Sequence, residues 1–258
     1  MRLQRVPYCL PFRATRRNRH IFMWLITALL GLFGSTAQWV SRMASKSGSL
    51  ETSDAKYNIL AFGDSLTEGY YNYGIHFHPY SNKLEELLNS NGYSAKVHER
   101  GNSGERVMGG MERRLPQLLH QFERNGIRLN WVIVLGGTND LGYGADPNSV
   151  YAGLQSLYAA CHSHGARVLA LTVLQNAGSN GDLIDDRTRL NDLIRGTPAG
   201  GQDYVTVLDV ERQLPYPRSR EDAQALALWD DMLHLTPAGY DALGQIVYDT
   251  LKGMLKEK

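Results

Sequence analysis

Apolar residues follow two alternating rhythms along the chain. Nearly unbroken apolar runs occur at 57–62, 131–135, 167–174 and 204–210. Short runs of this kind, bounded by Gly or charged residues, read as strands buried on both faces. A fifth run at 93–100 is more polar and suits a sheet edge better than its centre. Between the runs the apolar residues recur at helical spacing. Pro79 opens a helix with Tyr80, Leu84, Leu87 and Leu88 on one face, stopping at Gly92. A second shows Leu115, Leu118, Leu119 and Phe122 and ends at Gly126. Asp146 and Pro147 start a third, which carries Val150, Leu154, Leu157, Tyr158 and Cys161 up to Gly165. A fourth covers about 184–194. The last begins at Thr236-Pro237 with Tyr240, Leu243, Val247, Leu251 and Met254. The stretch 211–229, with Pro215 and Pro217, has no clear period. Five strands alternating with amphipathic helices predict an α/β domain: a five-stranded parallel sheet covered by helices on both faces. No internal repeat is evident.

Composition changes the picture only at the amino end. The chain has 258 residues, 43% apolar and 21% charged, which suits one domain of roughly 200 residues plus an extension. The first 50 residues contain seven Arg and one Lys but no Asp or Glu. Residues 1–50 are therefore set apart as a targeting or anchor segment with its linker, and residues 51–258 as the folded domain. Within the segment, 2–20 is basic, 21–34 is apolar, and Ser35-Thr36-Ala37 resembles a small-residue cleavage site. That is the layout of a secretory signal. Read on to Val40, residues 21–40 could just span a bilayer as an anchor. An Arg-rich organellar presequence is a third reading, and a working start at Met43, which would leave a cytosolic protein, is a fourth. Two features weigh against an oxidising home. Cys161 is the lone cysteine of the domain, Cys9 lying in the leader, and no Asn-x-Ser/Thr acceptor occurs. The net charge of +1 gives no general attraction to nucleic acid, and no nucleic-acid motif is present.

The residues with chemical potential gather just after predicted strands or before the last helix. Gly63-Asp64-Ser65-Leu66 follows the first strand, and Asn102-Ser103-Gly104 the second. Gly137-Thr138-Asn139-Asp140 follows the third, and Asp231-Met232-Leu233-His234 precedes the final helix. In a parallel sheet such loops share one edge, so they can converge. Taken alone, Gly63-Asp64-Ser65-Leu66 favours the reading of Ser65 as a helix cap. Serine hydrolysis, however, needs a nucleophile, a base, a group orienting the base, and donors aimed at an oxyanion. Ser65, His234, Asp231, and Gly104 with Asn139 could fill those posts. A spacing of three would let Asp231 and His234 project from one side of a helical turn. Glycine at 104 would let a backbone N–H approach a substrate unobstructed.

With these four blocks in this order, the sequence resembles the GDSL, or SGNH, hydrolases over about residues 57–255. The resemblance implies a flavodoxin-like three-layer α/β/α sandwich and a serine esterase or lipase working through an acyl-enzyme. It makes Ser65 the nucleophile, His234 the base and Asp231 its support. The Ser65 and Gly104 backbones and the Asn139 side chain would hold the oxyanion. It implies no cofactor or metal, and a small-molecule or lipid ester as substrate. An acyltransferase or thioesterase on the same site is the alternative, and a non-catalytic binding protein on the same fold a more distant one. The Gly-x-Ser-x-Gly elbow of α/β-hydrolases is absent, since Thr67 occupies its second Gly position.

Other polar and aromatic residues admit simpler roles. His76 and His78 could bind metal, but pocket-lining or surface roles explain them with fewer assumptions. His162 and His164 read as solvated groups near a helix end. Cys161, on an apolar helix face, reads as a buried structural thiol. Asp230 competes with Asp231 for the histidine or caps its own turn. The glycines at 101, 104, 109 and 110 lack the Lys-Ser/Thr of a phosphate loop. Tyr70, Tyr71, Tyr73, Phe77 and Trp229 flank the site and could form an acyl or aryl pocket.

Overall fold

The computed structural model describes residues 55–177, 181–217, 219 and 221–255. The readings placed on residues 1–50, including the candidate span at 21–40, lie outside the described residues. Among the described residues, no helix is long and apolar enough to cross a membrane.

Strand β1 (Tyr57–Gly63) runs into the one-turn helix α1 (Ser65–Glu68) and a small hairpin of β2 (Tyr70–Tyr71) and β3 (His76–Phe77). Then come α2 (Tyr80–Ser90), β4 (Ala95–Gly101), α3 (Glu112–Arg124), β5 (Trp131–Leu135), α4 (Thr138–Gly142) and α5 (Pro147–Ser163). The chain continues through β6 (Arg167–Leu171), α6 (Gly181–Arg195), β7 (Val205–Leu208), α7 (Val210–Gln213), α8 (Ala223–Leu226) and α9 (Pro237–Leu251).

Five strands form one parallel sheet in the order β4-β1-β5-β6-β7. Numbered within the sheet, that is 2-1-3-4-5, the flavodoxin-like winding, and the order reverses on either side of β1. In β1, Ile59 and Ala61 enter one apolar cluster and Leu60 and Phe62 the other. The first cluster is closed by Tyr80, Leu84 and Leu88 of α2 and Tyr240, Leu243 and Val247 of α9. The second is closed by Leu115 and Leu119 of α3, Leu154 and Leu157 of α5, and Leu190 and Ile194 of α6. This double burial explains why β1 shows no polar alternation, and each fully buried Leu, Ile or Phe contributes about 1.5–3 kcal/mol through burial. The α/β/α sandwich expected from the alternation is thus the observed fold.

The departures are local. The strand expected at 93–100 begins at Ala95 and is an edge strand, as its polarity required. β6 stops at Leu171 rather than Leu174 and β7 spans only Val205–Leu208; Val173 and Leu174 stay buried without pairing. The unperiodic stretch 211–229 holds the rest of α7 and all of α8, each too short to show a period. Met254 lies past the end of α9 and is exposed, so it does not extend that helix's apolar face. Asp146 caps α5 by accepting the Ser149 N–H, and Thr236 caps α9 by accepting the Gly239 N–H, as their sequence positions indicated.

Candidate active site

Gly63 ends β1 where the backbone must pass very close to its neighbours. A Cβ there would sit 2.2 Å from Thr67 Oγ1 and 2.4 Å from the Leu135 carbonyl oxygen. The chain then turns into α1, and the cap of that helix is Asp64, whose Oδ1 accepts the Leu66 N–H at 3.0 Å. Ser65 is therefore not the capping residue, and its hydroxyl is available for other work. Its Oγ lies 3.0 Å from Nε2 of His234, 169 positions away in sequence. His234 is only 7% exposed. Its Nδ1 lies 2.9 Å from Oδ2 of Asp231, which fixes the proton on Nδ1 and turns the Nε2 lone pair toward the serine hydroxyl.

Asp231 and His234 do not share a helical turn, as their spacing had suggested. They sit in a bend ahead of α9, because Asp231 Oδ1 accepts the backbone N–H groups of Leu233 at 2.7 Å and His234 at 2.6 Å. One carboxylate thus shapes the turn and orients the ring. Partial burial works to raise the Asp231 pKa, but the His234 imidazole and these two N–H groups outweigh it and hold the carboxyl below its ordinary value.

Asp230 faces elsewhere: its Oδ2 accepts the Asn72 N–H at 2.7 Å, tying this bend to the β2–β3 hairpin instead of capping its own turn. At that hairpin Asn72 and Tyr73 adopt positive φ of 48° and 57°, values uncommon for residues other than Gly. Of the flanking aromatics, Tyr70 packs on the histidine, with ring centroids 4.3 Å apart, and Phe77 stands edge-on to Tyr70 at 5.9 Å. Tyr73 points to solvent, and Trp229 belongs to the core, with its Nε1 donating to the Pro215 carbonyl. A single aromatic pocket built from all five is not what the chain forms.

The loops after β4 and β5 close on the same edge. Gly104 has φ +76°, and a Cβ on it would meet nothing within 4 Å. Glycine is suited to this point by its left-handed backbone, and no side chain is interposed. Asn139 Nδ2 donates to the Glu105 carbonyl at 2.9 Å and lies 3.4 Å from Asp64 Oδ2, so it joins all three loops.

Four residues not singled out from the sequence hold the Gly104 loop. Glu68 accepts from the Ser103 N–H at 2.9 Å and its hydroxyl at 2.6 Å. Buried Asp140 accepts the N–H groups of Val107 at 2.8 Å and Met108 at 3.1 Å. Arg114 pairs with Glu105 and also donates to the carbonyls of Arg100 and Gly63, each at 3.0 Å. Only Asp140, adjacent to Asn139, carried any sequence signal.

Asp64 is buried, and that burial, helped by Asp140 and Glu105, pushes its pKa from 3.8 up to about 7 against the Leu66 N–H and His234. An acid raised on folding gives stability that is fully present below pH 3.8 and is lost as the pH rises through about 7. Asp64→Asn should therefore flatten the fall in unfolding free energy between these limits, by at most about 4 kcal/mol. Urea melts of both proteins from pH 4 to 8 measure this, and identical slopes would refute it.

The remaining sequence candidates fall outside the site. His76 lies against the Tyr71 ring and His78 pairs with Asp241 at 2.8 Å. Cys161 is buried, and burial pushes its thiol up to about 12, as suits a structural thiol. His162 stacks on Tyr204 with centroids 4.0 Å apart and stays exposed, as expected, whereas His164 is half-buried with its Nε2 shut off from solvent and so departs from the solvated role expected of it.

A doubly covered parallel sheet thus carries at its carboxyl edge a serine, a histidine and an aspartate linked by hydrogen bonds. The chain belongs to the GDSL-like lipase/acylhydrolase family, whose model matches residues 61–242. Its fold is shared by solved structures of low identity. The structure of TesA is 22% identical, with a TM-score of 0.61 over 77% of this chain and 99% of that one. A lipase/acylhydrolase from Enterococcus faecalis is 21% identical, with a TM-score of 0.58 over 78% and 98%. A carbohydrate acetylesterase family member from Sinorhizobium meliloti is 20% identical, with a TM-score of 0.59 over 77% and 99%. No curated protein sequence gave a match. The family supports hydrolase or esterase activity.

Proposed function

We propose that this protein is a serine esterase that cleaves carboxylic esters through an acyl-enzyme on Ser65. The observation that carries the reading is the unbroken hydrogen-bonded chain from Asp231 through His234 to Ser65, at 2.9 and 3.0 Å. The Ser65 hydroxyl gives its proton to His234 Nε2 as Oγ attacks the ester carbonyl. Asp231 holds the imidazole in the tautomer that can accept that proton and stabilises the cation formed. The oxyanion draws on the Ser65 and Gly104 backbone N–H groups and on Asn139 Nδ2, whose long contact to Asp64 is the weaker of its two. Collapse expels the alcohol, which takes the proton from Nε2. Water, deprotonated by the same nitrogen, then frees the acid. The site supplies its own base and oxyanion donors, so the scheme needs no metal.

The catalytic unit in this reading is residues 51–258. A chain beginning at Ser49 and the full chain are expected to hydrolyse p-nitrophenyl esters at equal rates, with an organophosphate attaching to Ser65. Absence of turnover across esters of graded acyl length, with labelling elsewhere, would overturn the reading. Asn139→Ala should lower kcat about 10²- to 10³-fold with KM nearly constant, since a donor used in the transition state is removed while substrate binding is spared. Steady-state kinetics on one soluble ester checks this, and a change confined to KM would contradict it.

A further inference from the structure

At the opposite end of the sheet, two helices bring together a group that their sequence separation conceals. His120 and Glu123 lie three residues apart on one face of α3, and His164 stands at the carboxyl cap of α5. His120 Nδ1 is 3.5 Å from Glu123 Oε2, and His164 Nε2 is 3.8 Å from the same oxygen. One ligand atom from each residue lies within 4.8 Å of the others. His164 Nε2 is buried and makes no hydrogen bond among the described residues, an orphan that ordinarily needs a partner. The two imidazole rings stand edge to face, 5.3 Å between centroids.

We propose that His120, Glu123 and His164 bind a divalent transition-metal ion of the zinc type, which clamps the carboxyl ends of α3 and α5. The donor set decides the class. Two imidazole nitrogens and one carboxylate oxygen suit zinc, copper or nickel, whereas calcium and magnesium prefer all-oxygen shells. Ligands about 2.0–2.2 Å from zinc stand roughly 3.3–3.5 Å apart, so the cluster must close by about an ångström at its widest. The His120 side chain is 68% exposed and can turn inward to do so. Both helices end here, and the negative ends of their dipoles favour a cation. Water would complete the coordination.

The position separates this site from the ester chemistry. Helices that follow parallel strands run back along the sheet, so the ends of α3 and α5 lie at its amino edge, whereas Ser65 lies at its carboxyl edge. The ion is therefore a staple between two helices packed against one another. It would stabilise the fold by binding the native state.

The test is a titration of tag-free full-length protein, stripped with EDTA, with zinc chloride in a calorimeter. One equivalent should bind, and the melting temperature should climb with zinc concentration. His120→Ala, Glu123→Gln and His164→Ala should each weaken binding by about tenfold or more. His76→Ala should bind as the parent does, and magnesium chloride should give no saturable heat. Because His120 is largely exposed, His120→Ala keeps the test decisive even where His164→Ala fails to fold. Ester turnover at 25 °C should be the same with zinc or EDTA. No zinc uptake, or uptake undiminished in His120→Ala and Glu123→Gln, overturns the proposal.

Discussion

Ser65→Ala and His234→Ala should each lower kcat for ester hydrolysis by on the order of 10⁶-fold, and the double variant should be little worse than either alone. The reason lies in the 3.0 Å contact between Oγ and Nε2. Without the imidazole, the hydroxyl has no acceptor for its proton. Without the hydroxyl, the imidazole has no nucleophile to activate. Groups acting as one unit cannot lose their effect twice. The residual rate should come from the oxyanion donors and substrate binding, which both substitutions leave in place. Steady-state kinetics, with circular dichroism to confirm folding, decides the matter. A folded Ser65→Ala protein at full activity, or losses that multiply in the double variant, would remove Ser65 and His234 from the reaction.

The second large effect separates two adjacent carboxylates. Asp231→Asn should reduce kcat by about 10⁴-fold, whereas Asp230→Asn should cost less than about tenfold. An asparagine at 231 can still accept the Leu233 and His234 N–H groups through its oxygen, so the bend survives. Its amide nitrogen then faces Nδ1 and drives the ring to the tautomer with the proton on Nε2. That nitrogen can no longer take the serine proton. At 230, asparagine keeps an oxygen for the Asn72 N–H and leaves the histidine untouched. The same ester assay on both variants provides the comparison. If Asp230→Asn is the crippling change, the register of the site is wrong.

Much of this arrangement is legible in the amino-acid order. The buried strands were marked by runs such as Trp131–Leu135, which are apolar because each face of the sheet meets a helix layer. Pro147 after Asp146, and Pro237 after Thr236, marked helix starts because a proline at the first turn loses no internal hydrogen bond. Residue type and order also brought Ser65, Asp231, His234, Gly104 and Asn139 forward as a set. Parallel topology alone predicts that loops following strands meet at one edge.

What the one-dimensional pattern could not hold was side-chain direction. A spacing of three between Asp231 and His234 fits a helical turn and an aspartate-held bend equally, and only the hydrogen bonds to Leu233 and His234 select the bend. Asp230 and Asp231 are chemically the same residue, and which one meets the imidazole is decided by the path of the backbone around them. The Glu68–Ser103 and Asp140–Val107 bonds join residues 35 and 33 positions apart, beyond any local period. His120 and His164 meet for the same reason, on helices separated in the chain by β5 and α4. Burial and periodicity act through neighbours along the chain, so the amino-acid order alone marks which segments are buried and at which edge the reactive types gather. Which polar groups face one another was left to the tertiary structure, because a hydrogen bond of 3 Å depends on how whole layers pack.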